Sequence, residues 1–135
     1  MLSKTNLEKI KPVGLITNFR NIISVSKASG AKPIVILFNT DQDRKNSLAL
    51  QYFGNSDDFT FARNRNHKAL HINNGVMDSI ANALNIPVIS FDKWNPKDLQ
   101  SWIDHCHLDS TGIMEKARFI GNYLIKNQIL MADNK

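Results

Sequence analysis

The sequence predicts an α/β fold, a parallel sheet layered between helices as α/β/α, on three observations. Apolar residues recur at helical spacing in three stretches, two short apolar runs too brief for helices separate them, and the two kinds alternate. The order helix, strand, helix, strand, helix joins its strands by crossovers, and crossovers make neighbouring strands parallel. At 135 residues the chain is expected to form a single domain, 1–135.

Each element has its own signal. Leu15, Phe19, Ile22 and Ile23 place a helix over about 15–29, and Gly30 stops it where φ can turn positive. Pro33 opens the run Ile34-Val35-Ile36-Leu37-Phe38, apolar on both faces as a central parallel strand would be. Asn39 to Ala62 is polar and reads as a long excursion with one helical turn around Ser47–Tyr52. A second helix is expected over about 66–84, burying Leu70, Met77, Ile80, Ala81 and Leu84. Asn85-Ile86-Pro87 breaks it and leads into Val88-Ile89-Ser90-Phe91, the second strand. Pro96 suits the first turn of a short helix through Trp102. The last helix starts near Thr111 with Ile113, Ala117, Ile120 and Leu124 on one face.

Two strands make too small a sheet for three amphipathic helices. The Ile34–Phe38 strand expects neighbours on both sides and the sequence supplies one. The expectation is therefore a fold lacking its N-terminal βα units, with strands supplied by a partner or by a longer parent chain.

Composition narrows the function classes. Seventeen Lys and Arg against twelve Asp and Glu give a net charge of +5. The cations are scattered rather than gathered on one run, so nucleic acid is not an expected partner. The densest stretch, Phe61 to Lys68, holds Arg63 and Arg65, which are read as solvated surface. No apolar run approaches the ~18–20 residues of a membrane span, and the first residues lack the apolar centre of a secretion signal. No membrane association and a cytoplasmic location are expected. One cysteine, Cys106, excludes an internal disulfide.

The segment Trp102-Ile103-Asp104-His105-Cys106-His107-Leu108-Asp109-Ser110-Thr111-Gly112-Ile113 carries the chemistry. Asp104 and His107 are three apart between the second strand and the final helix. In a turn of roughly helical pitch that spacing brings a carboxylate to an imidazole nitrogen. A carboxylate there fixes the tautomer of the ring and stabilises the imidazolium formed when the other nitrogen takes a proton.

With its Asp-x-x-His-Leu pattern, Gly112, and a helix carrying Ala117, Ile120 and Leu124, this block resembles the C-terminal block of the SGNH (GDSL-type) hydrolases. A weaker likeness runs upstream through Ser29-Gly30-Ala31-Lys32-Pro33-Ile34-Val35-Ile36-Leu37 and Met77 to Ile89, so that it covers about residues 14–128. The resemblance implies hydrolysis of an ester, acetyl or related acyl bond. A serine attacks the acyl carbon, His107 serves as general base and then acid, and Asp104 orients His107. It implies no metal and no organic cofactor. The implied substrate is an ester or an acetylated small molecule or glycan.

The family's serine in a Gly-Asp-Ser turn and its Gly and Asn oxyanion blocks are not present in order. The expectation is that this chain supplies the His–Asp arm and is inactive alone, nucleophile and missing strands belonging to one absent segment. Gly54-Asn55-Ser56-Asp57 is like that turn but follows the wrong strand and is read as an ordinary turn. The alternative function is a non-catalytic interaction module, self-associating or binding a partner chain through its open sheet edge.

Other constellations carry less. His105, Cys106 and His107 lack a second ligand pair for zinc, and His67 and His71 lack the Glu of the zincin pattern. Cys106 is expected to face away from its neighbouring histidines, into the core. Trp94 and Trp102 are read as packing residues. A flavodoxin-like nucleotide site is disfavoured because no Gly-rich strand-to-helix turn is present.

Overall fold

In the computed structural model, residues 12–39, 57–91, 94–103 and 106–129 are described. The expected order is observed as α1 (Val13–Ala28), β1 (Val35–Ile36), α2 (Asp57–Ala83), β2 (Val88–Ile89), a 3-10 turn (Leu99–Ser101) and α3 (Ser110–Lys126). β1 and β2 pair in parallel, with Val35 opposite Val88 and Ile36 opposite Ile89. The protein is a small α/β fold with a two-stranded parallel sheet among the described residues.

Two compact units divide the chain: Met1–Phe38 with Ser56–Asp92, and Asn39–Asn55 with Lys93–Lys135. The first unit is built on a helix-to-strand connection used twice. At the end of α1 the Gly30 N–H bonds the Lys27 carbonyl and the Ala31 N–H the Ser26 carbonyl, each at 3.0 Å. At the end of α2 the Asn85 N–H bonds the Asn82 carbonyl at 3.1 Å and the Ile86 N–H the Ala81 carbonyl at 2.8 Å. This paired pattern needs one residue in left-handed conformation, and Gly30 has φ 78° and Asn85 φ 53°. Pro33 and Pro87 then keep the chain from continuing as helix. The Lys27 ammonium donates to the Leu84 carbonyl at 3.0 Å, placing a cation on the negative end of α2.

The core of this unit joins Ile23 of α1, Val35 and Leu37 of the first strand region, and Ile80, Ala81 and Ile86 of α2 and its exit. Phe19, Met77, Leu84 and Val88 pack around them. Asn74 of α2, only 8% exposed, accepts from the Phe38 N–H at 3.2 Å and donates to the Phe38 carbonyl at 2.6 Å. Its amide thus serves the main chain beyond β1 as a neighbouring strand would.

Three local expectations are corrected. The run Ile34–Phe38 is not buried on both faces: Val35 and Leu37 are, whereas Ile36 and Phe38 are each 46% exposed. Among the described residues β1 has one neighbour, and the face carrying Ile36 and Phe38 stays partly open. α2 begins at Asp57, nine residues ahead of the expected start, so part of the polar excursion is helical. Its remainder, including Ser47–Tyr52, lies outside the described residues. Finally, the helix expected from Pro96 to Trp102 is only the 3-10 turn.

In the second unit, α3 turns Gly112, Lys116, Phe119, Ile120 and Leu124 inward or partly inward, while Ile113 is 57% exposed and Ala117 is exposed. The inward stripe is offset from the expected one because Gly112, not Ile113, makes the closest approach. Trp94 packs on Phe119 with ring centroids 6.2 Å apart, and Trp102 is 1% exposed, so both tryptophans are packing residues. No described helix is long and apolar enough to cross a membrane.

Candidate functional site

The segment ahead of α3 is a closed hairpin loop. Trp102 and Leu108 form an antiparallel bridge, the Ile103 N–H donates to the His107 carbonyl at 2.9 Å, and the Asp109 N–H donates to the Ser101 carbonyl at 2.8 Å. In a helical turn the later N–H bonds the earlier carbonyl; at 103–107 the direction is reversed. The described residues on either side, Trp102–Ile103 and His107–Leu108, are therefore paired antiparallel and not as a turn of helical pitch.

Two devices fix the loop to α3. Asp109 is the N-cap of the helix, its Oδ1 accepting from the Gly112 N–H at 2.8 Å. Gly112 lies so close to the loop that a Cβ there would sit 2.9 Å from Leu108 Cδ2 and 3.1 Å from Ser101 Cβ. Leu108 and Gly112, which flank the His in the motif, thus touch across the loop–helix junction. A Glu115 carboxylate accepting from the Lys97 N–H at 2.8 Å ties the preceding segment to the same helix.

His107 is exposed at the surface of this loop. Its Nδ1 lies 3.5 Å from the Cys106 Sγ, and Cys106 is only partly buried. The thiol therefore stands beside the imidazole instead of turning into the core. Asp104 and His105 lie outside the described residues, as do Gly54, Asn55 and Ser56. Among the described residues no group of three His, Cys, Asp or Glu gathers to hold a metal. His67 is partly buried and His71 exposed, one turn apart on α2.

Sequence reasoning did not single out Asp109, the N-cap of α3. The signal was present in Asp109-Ser110-Thr111-Gly112, an acid three residues before a glycine that must approach the loop. Asn39 closes the list: it follows Phe38 and is 5% exposed, and its amide donates to the Trp94 carbonyl at 2.9 Å. Its Oδ1 and the Trp102 Nε1 have no hydrogen-bond partner among the described residues.

No protein-family model, curated protein or solved structure matches this chain.

Proposed function

We propose that the chain is the C-terminal part of an SGNH-type three-layer hydrolase and supplies Asp104 and His107 to a Ser-His-Asp site. The observation that carries this reading is the hairpin Trp102–Leu108, which holds an exposed His107 directly ahead of α3, with Leu108 packed on Gly112. An imidazole that moves protons must be presented to a substrate on a loop that does not drift, and this loop is pinned at both ends.

In the proposed mechanism a serine from a segment outside this sequence attacks an acyl carbon. His107 takes the serine proton and returns it to the leaving alcohol, and Asp104 orients the ring and stabilises its charged form. The substrate is an ester or an acetylated small molecule or glycan. The oxyanion donors lie with the serine, so the chain alone keeps only the proton-handling arm, the smaller share of the catalysis.

The test is hydrolysis of p-nitrophenyl acetate by the chain, wild type against His107→Ala and Asp104→Asn. Without the serine the chain is inactive toward ordinary esters, but on this activated ester the imidazole should leave the wild type a weak residual rate above both variants, and a fluorophosphonate probe should leave the chain unlabelled. Equal rates in all three, or stoichiometric labelling at Ser56, would overturn the reading.

One observation favours a second reading. Ile36 and Phe38 leave a partly open apolar surface on the sheet, as expected of a non-catalytic module that takes a second copy or a partner chain at its edge.

A further inference from the structure

A cavity of about 140 Å³ is lined by Leu37, His71, Asn74, Gly75, Asp78 and Ser90. All six belong to the first unit, and none belongs to the hairpin or to α3. Leu37 follows β1 and Ser90 follows β2, so the cavity opens at the carboxyl ends of the parallel strands, where α/β sheets take their ligands. His71, Asn74, Gly75 and Asp78 follow each other at i, i+3, i+4 and i+7, one face of α2. Asn74 is committed to the Phe38 main chain and forms a fixed wall.

Two features show what the space would take. A Cβ on Gly75 would meet no atom within 4 Å, so the missing side chain is what leaves the cavity open. Asp78 is partly buried and makes no ion pair among the described residues, in a chain of net charge +5. A partly desolvated carboxylate without a counter-charge favours a cationic guest. His71 stands two helical turns away, about 10 Å along the axis, so the guest must be elongated to meet both. The volume is close to the roughly 150 Å³ that accommodates benzene, which sets its size at about six heavy atoms.

We propose that this cavity binds a short linear primary amine with a polar far end. The ammonium sits on Asp78, the methylenes cross Gly75 and Leu37, and the far hydroxyl meets the His71 ring. The inference uses no residue of the hydrolase reading and stands or falls apart from it.

The probe is 4-aminobutan-1-ol, titrated into the ¹⁵N-labelled chain, with 1,4-butanediol as the uncharged ligand of equal size. The amine should shift the amide signals of His71, Gly75, Asp78 and Ser90 together, and the diol should bind at least about tenfold more weakly. Asp78→Asn should weaken the amine by a similar factor. Gly75→Leu, which fills open space with a better helix former, should abolish binding while circular dichroism shows the fold retained. Equal binding of amine and diol, undiminished binding to a folded Gly75→Leu chain, or no shift at these four residues would each overturn the proposal.

Discussion

Gly112 shows how a single side-chain position joins local conformation to the site. Inside a helix, alanine is favoured over glycine by up to about 1 kcal/mol. Here the added methyl would meet Leu108 at 2.9 and 3.1 Å and Ser101 at 3.1 Å, and overpacking of that kind costs about 1–3 kcal/mol. The Leu108 side chain can yield at its Cδ2, but the two Cβ contacts lie on the bridge and on the turn, which cannot move without opening the hairpin. Gly112→Ala is therefore expected to lower stability by about 1–2 kcal/mol in urea denaturation, and an unchanged or raised midpoint would show the loop to be looser than described. Lys116, on the same side of α3, makes a pH prediction. Burial pushes its ammonium below the ordinary 10.5. At low pH both folded and unfolded chains hold the proton. Between the lowered value and 10.5 the unfolded chain holds more protons, so stability rises with pH there and levels off above. Lys116→Met should remove that rise, measured as the difference in urea midpoint between neutral pH and about pH 10.

All three described helices end on the same hydrogen-bonded motif, but with residues of different fitness. Gly30 and Asn85 suit left-handed backbone, whereas Gln128 adopts φ 55° with its N–H on the Ile125 carbonyl and the Ile129 N–H on the Leu124 carbonyl. A side chain other than Gly or Asn there costs about 1 kcal/mol or more. Gln128→Gly should accordingly raise the thermal midpoint, and Asn85→Gly should raise it less, because asparagine already tolerates the conformation. A larger gain from Asn85→Gly would contradict this ordering. The same contrast explains what was legible beforehand. Gly30 and the Asn85-Ile86-Pro87 break announced where α1 and α2 stop, and the apolar runs between the elements announced two parallel strands. The start of α2 at Asp57 was not announced, because reading by apolar period needs a sustained apolar repeat, and in the sequence the polar run from Arg63 to Lys68 interrupts it ahead of Leu70. A helix whose early turns mix Asp57, Asp58 and Arg63 to Lys68 with a few apolar residues looks like an excursion when sequence is read by periodicity alone. In the candidate site the loop's position and the presence of Leu108 and Gly112 beside the motif were legible as pattern, whereas their contact was not. The hairpin sense was not, since hydrogen bonds that close a loop between two main-chain segments leave no mark in side-chain spacing.

At the scale of the molecule the unresolved tension is between apolar surface and sheet size. Val35 and Leu37 exchange hydrogen bonds with the β2 side, the Val35 N–H with the Pro87 carbonyl at 2.9 Å and the Leu37 N–H with the Ile89 carbonyl at 3.0 Å. The alternation of a parallel ladder then turns the Ile36 N–H and carbonyl to the opposite edge, beside an Ile36 and a Phe38 that are both half exposed. The Asn74 amide takes the Phe38 main chain, but among the described residues no hydrogen bond reaches the Ile36 main chain on that edge. Open main chain beside apolar side chains, with no lysine or proline at the exposed positions, is a template for another strand. Both functional readings need that edge filled, by the missing part of a hydrolase sheet or by a partner, so filling it by a second copy is the default when the chain is alone. In size-exclusion chromatography with light scattering, the wild type should run above its 15.3 kDa monomer mass and shift with concentration. Ile36→Lys places a charge on the exposed edge while leaving the buried Val35 and Leu37 in place, and should give a monomer with the same far-ultraviolet circular dichroism. A wild type that stays monomeric at every concentration and melts sharply would mean that two strands suffice, and with that the need for a completing partner, catalytic or not, would disappear.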